Sequence, residues 1–284
     1  MADKAQRSYK KRLGEDDKRT LASMSLFVLI FLARGLWVQA ESLGVQVMER
    51  YKRVLGEQHP DTLTSMANLA LTYWNQGRWK EAESPGAQVM ETRRRVLGEE
   101  HPDTLTSMNN LALTYWNQGR WKEAESLGAQ VMETRRRVLG EEHPDTLTSM
   151  ATLASTYENQ GRWKEAESLE VQVMKTFKRV LGEEHPDTLT SMNNLALTYA
   201  NQGRWKEAES LEVQVMETRK RVLGEEHPDT LTSMNNLAFT WKGQGRHTDA
   251  VALMEDCAQA RQRVLGVAHP YTLSSLDIIA KWSR

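Results

Sequence analysis

What this chain has little of already narrows its chemistry. A single cysteine, Cys257, excludes an intramolecular disulfide and any zinc site built from several thiolates. Neither sign of charge is in surplus. The 37 Lys plus Arg and 38 Asp plus Glu leave a net charge of -1, so no global field draws the chain to nucleic acid or to an anionic membrane. The longest apolar stretch, 26–33, is far short of the ~20 residues a membrane-spanning helix requires. No segment alternates with period two, so nothing signals a half-buried strand. Gly-x-x-x-x-Gly-Lys-Ser/Thr, His-Glu-x-x-His and Gly-x-Ser-x-Gly are all missing, and with them the phosphate loop, the zinc helix and the serine elbow. Apolar and aromatic residues are plentiful, however. With 39% hydrophobic residues, nine Trp and seven Tyr, the chain is expected to fold.

Repetition is what the sequence has in excess. Six of the seven histidines stand at 59, 101, 143, 185, 227 and 269, each 42 residues after the last. Each opens His-Pro-Asp-Thr-Leu, varied to His-Pro-Tyr-Thr-Leu at His269. The units beginning at His59 and His101 differ only at Ala67 against Asn109 and at Pro85 against Leu127. A fixed period of this size marks a solenoid or an array. Within a unit, Asp103-Thr104 reads as an N-cap pair opening an apolar stripe through Leu105, Met108, Leu111, Ala112 and Tyr115 at helical spacing. Asn117-Gln118-Gly119-Arg120 closes that helix, with Gly119 supplying a left-handed turn. A second stripe follows through Trp121, Ala124, Leu127, Val131 and Met132 and ends at Arg135-Arg136-Arg137. The chain is expected to be all-α, with six helix pairs starting near 20, 62, 104, 146, 188 and 230. Residues 1–19 read as a degenerate half-unit, and 272–284 as a capping helix.

The phrases Asn-Asn-Leu-Ala-Leu-Thr-Tyr, Gln-Gly-Arg-Trp, Glu-Ala-Glu and Arg-Val-Leu-Gly-Glu-Glu-His-Pro-Asp resemble the 42-residue tetratricopeptide repeat of kinesin light chains. The resemblance covers essentially the whole chain, and near-identical copies of this kind also resemble the arrays of fungal NLR-like proteins. It implies a right-handed superhelix of helix-turn-helix units serving as a non-catalytic interaction scaffold in the cytosol. Two rival roles remain, a kinesin-type cargo adaptor and a self-assembling structural array. No heptad segment of the kind that joins a light chain to its heavy chain is visible.

Several features admit two readings. The apolar stretch 26–33 follows a lysine-rich start, and Val38-Gln39-Ala40 has the small-residue look of a signal-peptide cleavage site. Its phase, 42 residues before the next first helix, favours a degraded repeat, whose apolar surface could dock a second copy. Pro85 stands where later units have Leu127, Leu169 and Leu211, and predicts a kink near Glu81. The repeated His-Pro-Asp reads as a loop and helix start rather than a catalytic pair, because it is copied once per unit. Stacked helix pairs would hold the six histidines too far apart for metal bonds of ~2 Å, so no metal or other cofactor is expected. Cys257 aligns with Val89 and Val131 and reads as core. The basic clusters 93–95, 135–137 and 219–221 are flanked by glutamates and read as helix ends rather than as a nucleic-acid surface. Trp79, Trp121, Trp163 and Trp205, which start the second helices, are expected in or near the core.

In the repeat family resembled, the first helices carry the ligand contacts, at the second, fifth, sixth, ninth, twelfth and thirteenth positions counted from Leu63, Leu105, Leu147, Leu189 and Leu231. Here the fifth position reads Ala67, Asn109, Ala151, Asn193 and Asn235, and the sixth Asn68, Asn110, Thr152, Asn194 and Asn236. The ninth reads Leu71, Leu113, Ser155, Leu197 and Phe239, and the twelfth Trp74, Trp116, Glu158, Ala200 and Lys242. A ladder of carboxamides can pair with both edges of an extended peptide backbone, while the adjacent Leu, Phe and Trp offer apolar pockets. The carboxylate clamp for chaperone tails is not reproduced, since the second position is Thr throughout (Thr64, Thr106, Thr148, Thr190, Thr232). First helices 62–76, 104–118 and 188–202 carry no charge, so the expected partner is a neutral or amphipathic protein segment.

Overall fold

The computed structural model describes residues 14–283. The reading of 1–19 as a half-unit therefore falls mostly outside the described residues. Thirteen α-helices and no strand are present among them. In chain order these are α1 (Lys18–Ala33), α2 (Trp37–Leu55), α3 (Pro60–Asn75), α4 (Trp79–Leu97), α5 (Pro102–Asn117), α6 (Trp121–Leu139) and α7 (Pro144–Asn159). They continue as α8 (Trp163–Leu181), α9 (Pro186–Asn201), α10 (Trp205–Leu223), α11 (Pro228–Gly243), α12 (His247–Leu265) and α13 (Pro270–Trp282). The chain divides into two compact units between Ser149 and Met150, within α7. In each unit a helix packs mainly on its neighbours in sequence.

The first helix of a pair supplies the bulk of the core. In α5, Leu105, Met108, Leu111 and Ala112 are all buried, as are Leu189, Met192, Leu195 and Ala196 at the same places in α9. The second helix contributes small residues, Ala124 and Val131 in α6 and Ala208 and Val215 in α10, which let the helices approach closely. Cys257 is fully buried in α12 beside Leu231 and Ala260, and burial pushes its thiol pKa up, away from thiolate chemistry.

The helix start differs from the sequence expectation by two residues. The cap is the histidine, not the Asp-Thr pair: His101 Nδ1 accepts the Asp103 N–H at 3.1 Å, and Pro102 takes the first helical position, where its missing N–H is no loss. His59, His143, His185, His227 and His269 make the same bond. Three places after the histidine, Thr62, Thr188 and Thr230 tie their helices back to the preceding loop, as Thr62 Oγ1 donates to the Gly56 carbonyl at 2.8 Å. At the other end, Gly119 (φ 74°) permits the Arg120 N–H to reach the Tyr115 carbonyl at 2.9 Å. That is the six-to-one bond of a Schellman turn.

Gln-Gly-Arg also joins one pair to the next. Gln118 Nε2 donates to the Trp79 carbonyl at 3.1 Å and to Glu83 at 2.9 Å, and Arg120 donates to the same carboxylate at 2.8 Å while its guanidinium lies 4.2 Å over the Tyr115 ring. Glu167 with Gln202 and Arg204, and Glu209 with Gln244 and Arg246, repeat the arrangement in the second unit. The Arg120 hydrogen bond holds the Glu83 carboxyl below its usual range.

The basic clusters are likewise committed to structure. Arg135 Nη1 donates to Ser149 Oγ at 2.8 Å and to the Asp145 carbonyl at 3.1 Å, pinning the start of α7. Arg137 pairs with Glu100 and Arg221 with Glu184. Of the second-helix tryptophans, expected in or near the core, only Trp121 is exposed. Trp79, Trp163 and Trp205 are half-buried and Trp121 is 37% exposed, because the first residue of the helix stands at the rim of the interface rather than inside it. The helix α4 runs unbroken through Pro85 over the same nineteen-residue span as its counterparts. In α1, Leu21, Met24 and Val28 pack with Val47 and Tyr51 of α2, leaving Leu26 and Leu29 open.

Candidate functional site

Core packing decides which residues of a first helix remain available. Positions one, four, seven and eight are buried, except for the half-buried Ala70 and Met234, so five, six, nine and twelve lie on the flank or the open face. In the first unit this brings together Asn68, Leu71 and Trp74 on α3 with Asn109, Asn110, Leu113 and Trp116 on α5. Leu71 is 44% exposed, and Asn110 is exposed with no protein partner for its carboxamide. The indole N–H groups of Trp74 and Trp116 are buried without an acceptor.

The second unit presents Asn193, Asn194 and Leu197 on α9 and Asn235, Asn236 and Phe239 on α11. Leu197 is 52% exposed. The asparagines here do not form the fully open ladder that their spacing suggests. Asn236 Nδ2 donates to Asn193 Oδ1 at 3.0 Å, so a fifth-position carboxamide and the sixth-position carboxamide of the next pair satisfy each other. Phe239 packs edge-on against Trp282 at 5.1 Å, and so belongs partly to the packing of α13.

Three determinants of this face were missed in the sequence. The first is the second-helix residue beneath it, which is Gly44, Gly86 and Gly128 in the first unit and Glu170 and Glu212 in the second. A Cβ at Gly86 would meet only Leu111 Cδ1, at 3.8 Å. In the second unit the same place is occupied by carboxyls that are 4% exposed, each with one oxygen lacking a partner, and burial raises their pKa to about 7. The switch from Gly128-Ala129 to Glu170-Val171 in otherwise matching copies was the available signal. The second is Glu158, which accepts from Thr198 Oγ1 at 2.6 Å and is therefore a packed residue rather than a groove contact. The third is Ala67, whose missing carboxamide leaves Asn110 unpaired.

Among the described residues no three His, Cys, Asp or Glu side chains gather to hold a metal, and no helix is long and apolar enough to cross a membrane. Helix pairs stacked through Gln-Gly-Arg clasps, with an open face that carries no charge on α3, α5 and α9 past their first turns, define a helical-repeat scaffold for contacts with proteins or peptides. The tetratricopeptide repeat family matches six times in succession, over 20–61, 62–103, 104–145, 146–187, 188–229 and 230–271, and the chain belongs to it.

Solved structures agree. The nearly identical TPR-like repeats of a Podosopora anserina kinesin light chain share 33% identity, covering 73% of this chain and 98% of that one at a TM-score of 0.67. The tetratricopeptide sensor protein of Pyrococcus horikoshii, a signal transduction ATPase with numerous domains, has a TM-score of 0.71 at 13% identity, over 97% of this chain and 40% of that one. The protein NprR, solved with its cognate peptide NprX, gives 0.58 at 15% identity, over 98% and 84%. A search of curated proteins finds no match.

Proposed function

We propose that the chain is a peptide receptor, binding an extended, uncharged segment along the open face of its first helices, as the ligand-sensing part of an NLR-like protein. The observation that carries this reading is the exposed Asn110 carboxamide, which has no partner in the protein and stands between Leu71 and Leu113 on helices whose only charges are the first-turn Asp61 and Asp103. A carboxamide in that position offers a donor and an acceptor to a peptide backbone, and the leucines offer apolar contact to its side chains. Asn68 and Asn109 extend the polar track within the first unit, Asn194 and Asn235 offer carboxamides on the first helices of the second, and Trp74 and Trp116 carry indole N–H groups that want an acceptor. The likeness to NprR, solved with a peptide, and to the P. horikoshii sensor supports the reading at the level of the fold.

The test is a display screen of the full chain against a library of disordered peptides, beside an Asn110→Ala, Asn194→Ala double variant. One motif enriched by the parent and lost in the variant is the expected result; no enrichment, or equal enrichment, would overturn the reading. A second role has its own observation. Leu26, Leu29 and Val38 are 54%, 46% and 74% exposed, which favours self-association through the first helix pair. Sedimentation of the chain across concentrations would then show a dimer that Leu26→Lys abolishes.

A further inference from the structure

The first unit holds a cavity of about 110 Å³ between α3, α4 and α5, with Gly86 and Val89 beneath it and Leu71, Leu113 and Asn110 at its edge. It exists because of a local departure from the repeat. Ala67 lines it where Asn109, Asn193 and Asn235 stand in other copies, and Gly86 supplies no side chain to fill it. The second unit shows what otherwise happens. At Ala151 and Asn194 the same Ala–Asn pairing recurs, but there the residue beneath is Glu170, whose buried side chain occupies the place that Gly86 leaves open. Where the fifth position is Asn193, the carboxamide is already bonded to Asn236.

The cavity's chemistry limits its occupant. None of its lining residues is charged, so an ionised side chain would lose its hydration with nothing in return. The lining hydroxyls are also committed: Thr114 Oγ1 donates to the Asn110 carbonyl at 2.9 Å, and Ser107 Oγ donates to the Asp103 carbonyl while accepting from Arg93. The uncommitted polar groups of the lining are therefore the Asn110 carboxamide at the rim and the Trp74 indole N–H, and the rest of the surface is apolar carbon. A void of this size suits one aliphatic side chain, being somewhat smaller than the ~150 Å³ apolar cavity that accepts benzene.

We infer that the cavity lined by Ala67 and Gly86 is an anchor pocket for a single leucine-sized aliphatic side chain of a bound peptide, whose backbone amide pairs with Asn110. This rests on the peptide-receptor reading and adds the residue class recognised and the place where it docks.

The probe is N-acetyl-leucine-methylamide, titrated into the full chain with methyl and carboxamide NMR signals followed. Its aspartate and lysine analogues serve as controls. Saturable shifts at Leu71, Leu113 and Asn110 with the leucine probe alone are expected. Ala67→Asn installs the residue that stands at Asn109, Asn193 and Asn235, within the same helical repeat, and should weaken binding at least tenfold. Gly86→Met, filling the cavity from below, should do the same. Shifts elsewhere, equal binding by Ala67→Asn, or equal response to the aspartate probe would overturn the pocket, as would closure of this face by a second copy in sedimentation. The two readings fail separately. Peptides enriched equally by the parent and by Ala67→Asn would remove the anchor and leave the groove, whereas leucine binding without peptide enrichment would keep the pocket and remove the receptor.

Discussion

At the scale of single residues, two repeated side chains carry opposite lessons. The histidine of each His-Pro-Asp phrase looks like chemistry and acts as a cap. His101→Ala should cost about 1 kcal/mol in urea unfolding, and His101→Asn, which keeps an acceptor at the cap, should cost less. Glu170 and Glu212 look like ordinary helix glutamates and are buried carboxyls instead. Their folded pKa lies at about 7, above the value of 4.5 for a free side chain, so the native chain holds protons that the unfolded chain releases between those values. Stability from these groups is therefore undiminished in acid, falls as pH rises from about 4.5 through about 7, and levels off above. The loss is about 3 kcal/mol per group at full ionisation. Glu170→Gln should accordingly raise the urea midpoint at pH 8 and leave it nearly unchanged at pH 4.5. A midpoint that rises equally at both would show that the charge is not the cause.

At the scale of the element, each helix is specified mostly by what it hands to the next. Arg135 and Arg137 sit two residues apart at the end of α6. The first is 9% exposed and bonded to Ser149 and the Asp145 carbonyl; the second lies at the surface, paired with Glu100. Arg135→Ala strips the donor from buried acceptors and should cost about 1–3 kcal/mol, against 0.5 or less, roughly, for Arg137→Ala. Identical urea midpoints for the two variants would contradict the assignment. Pro85, inside the unbroken α4, has no N–H to donate. Pro85→Leu should raise stability by up to about 3 kcal/mol, and a calorimetric scan that shows no gain would mean that neighbouring contacts already absorb the defect.

At the scale of the whole molecule, contacts run between sequence neighbours, so damage should stay local. Met192 is fully buried in the cluster with Leu189 and Val215. Met192→Ala should cost about 2–5 kcal/mol, with hydrogen exchange accelerating in α9 and α10 while α1–α3 keep their protection. Uniform acceleration along the chain would argue for a single cooperative block.

Much of this was legible in the residues themselves. A 42-residue period with a 3.6-residue apolar stripe leaves few alternatives to paired helices, and the glycine after each first helix marks the turn, because both are local properties of the chain. The buried places of Leu105, Met108 and Leu111 follow from the same stripe. The candidate face was only half legible. Spacing placed the asparagines on one side of the first helices, yet whether a carboxamide is free depends on its neighbour one repeat away, and Asn193 and Asn236 consume each other while Ala67 leaves Asn110 open. The cavity above Gly86, the buried carboxyls of Glu170 and Glu212 and the rim position of Trp121 were decided by packing between helices. Such facts belong to pairs of elements brought together in space, and a period read along one strand of sequence does not contain them.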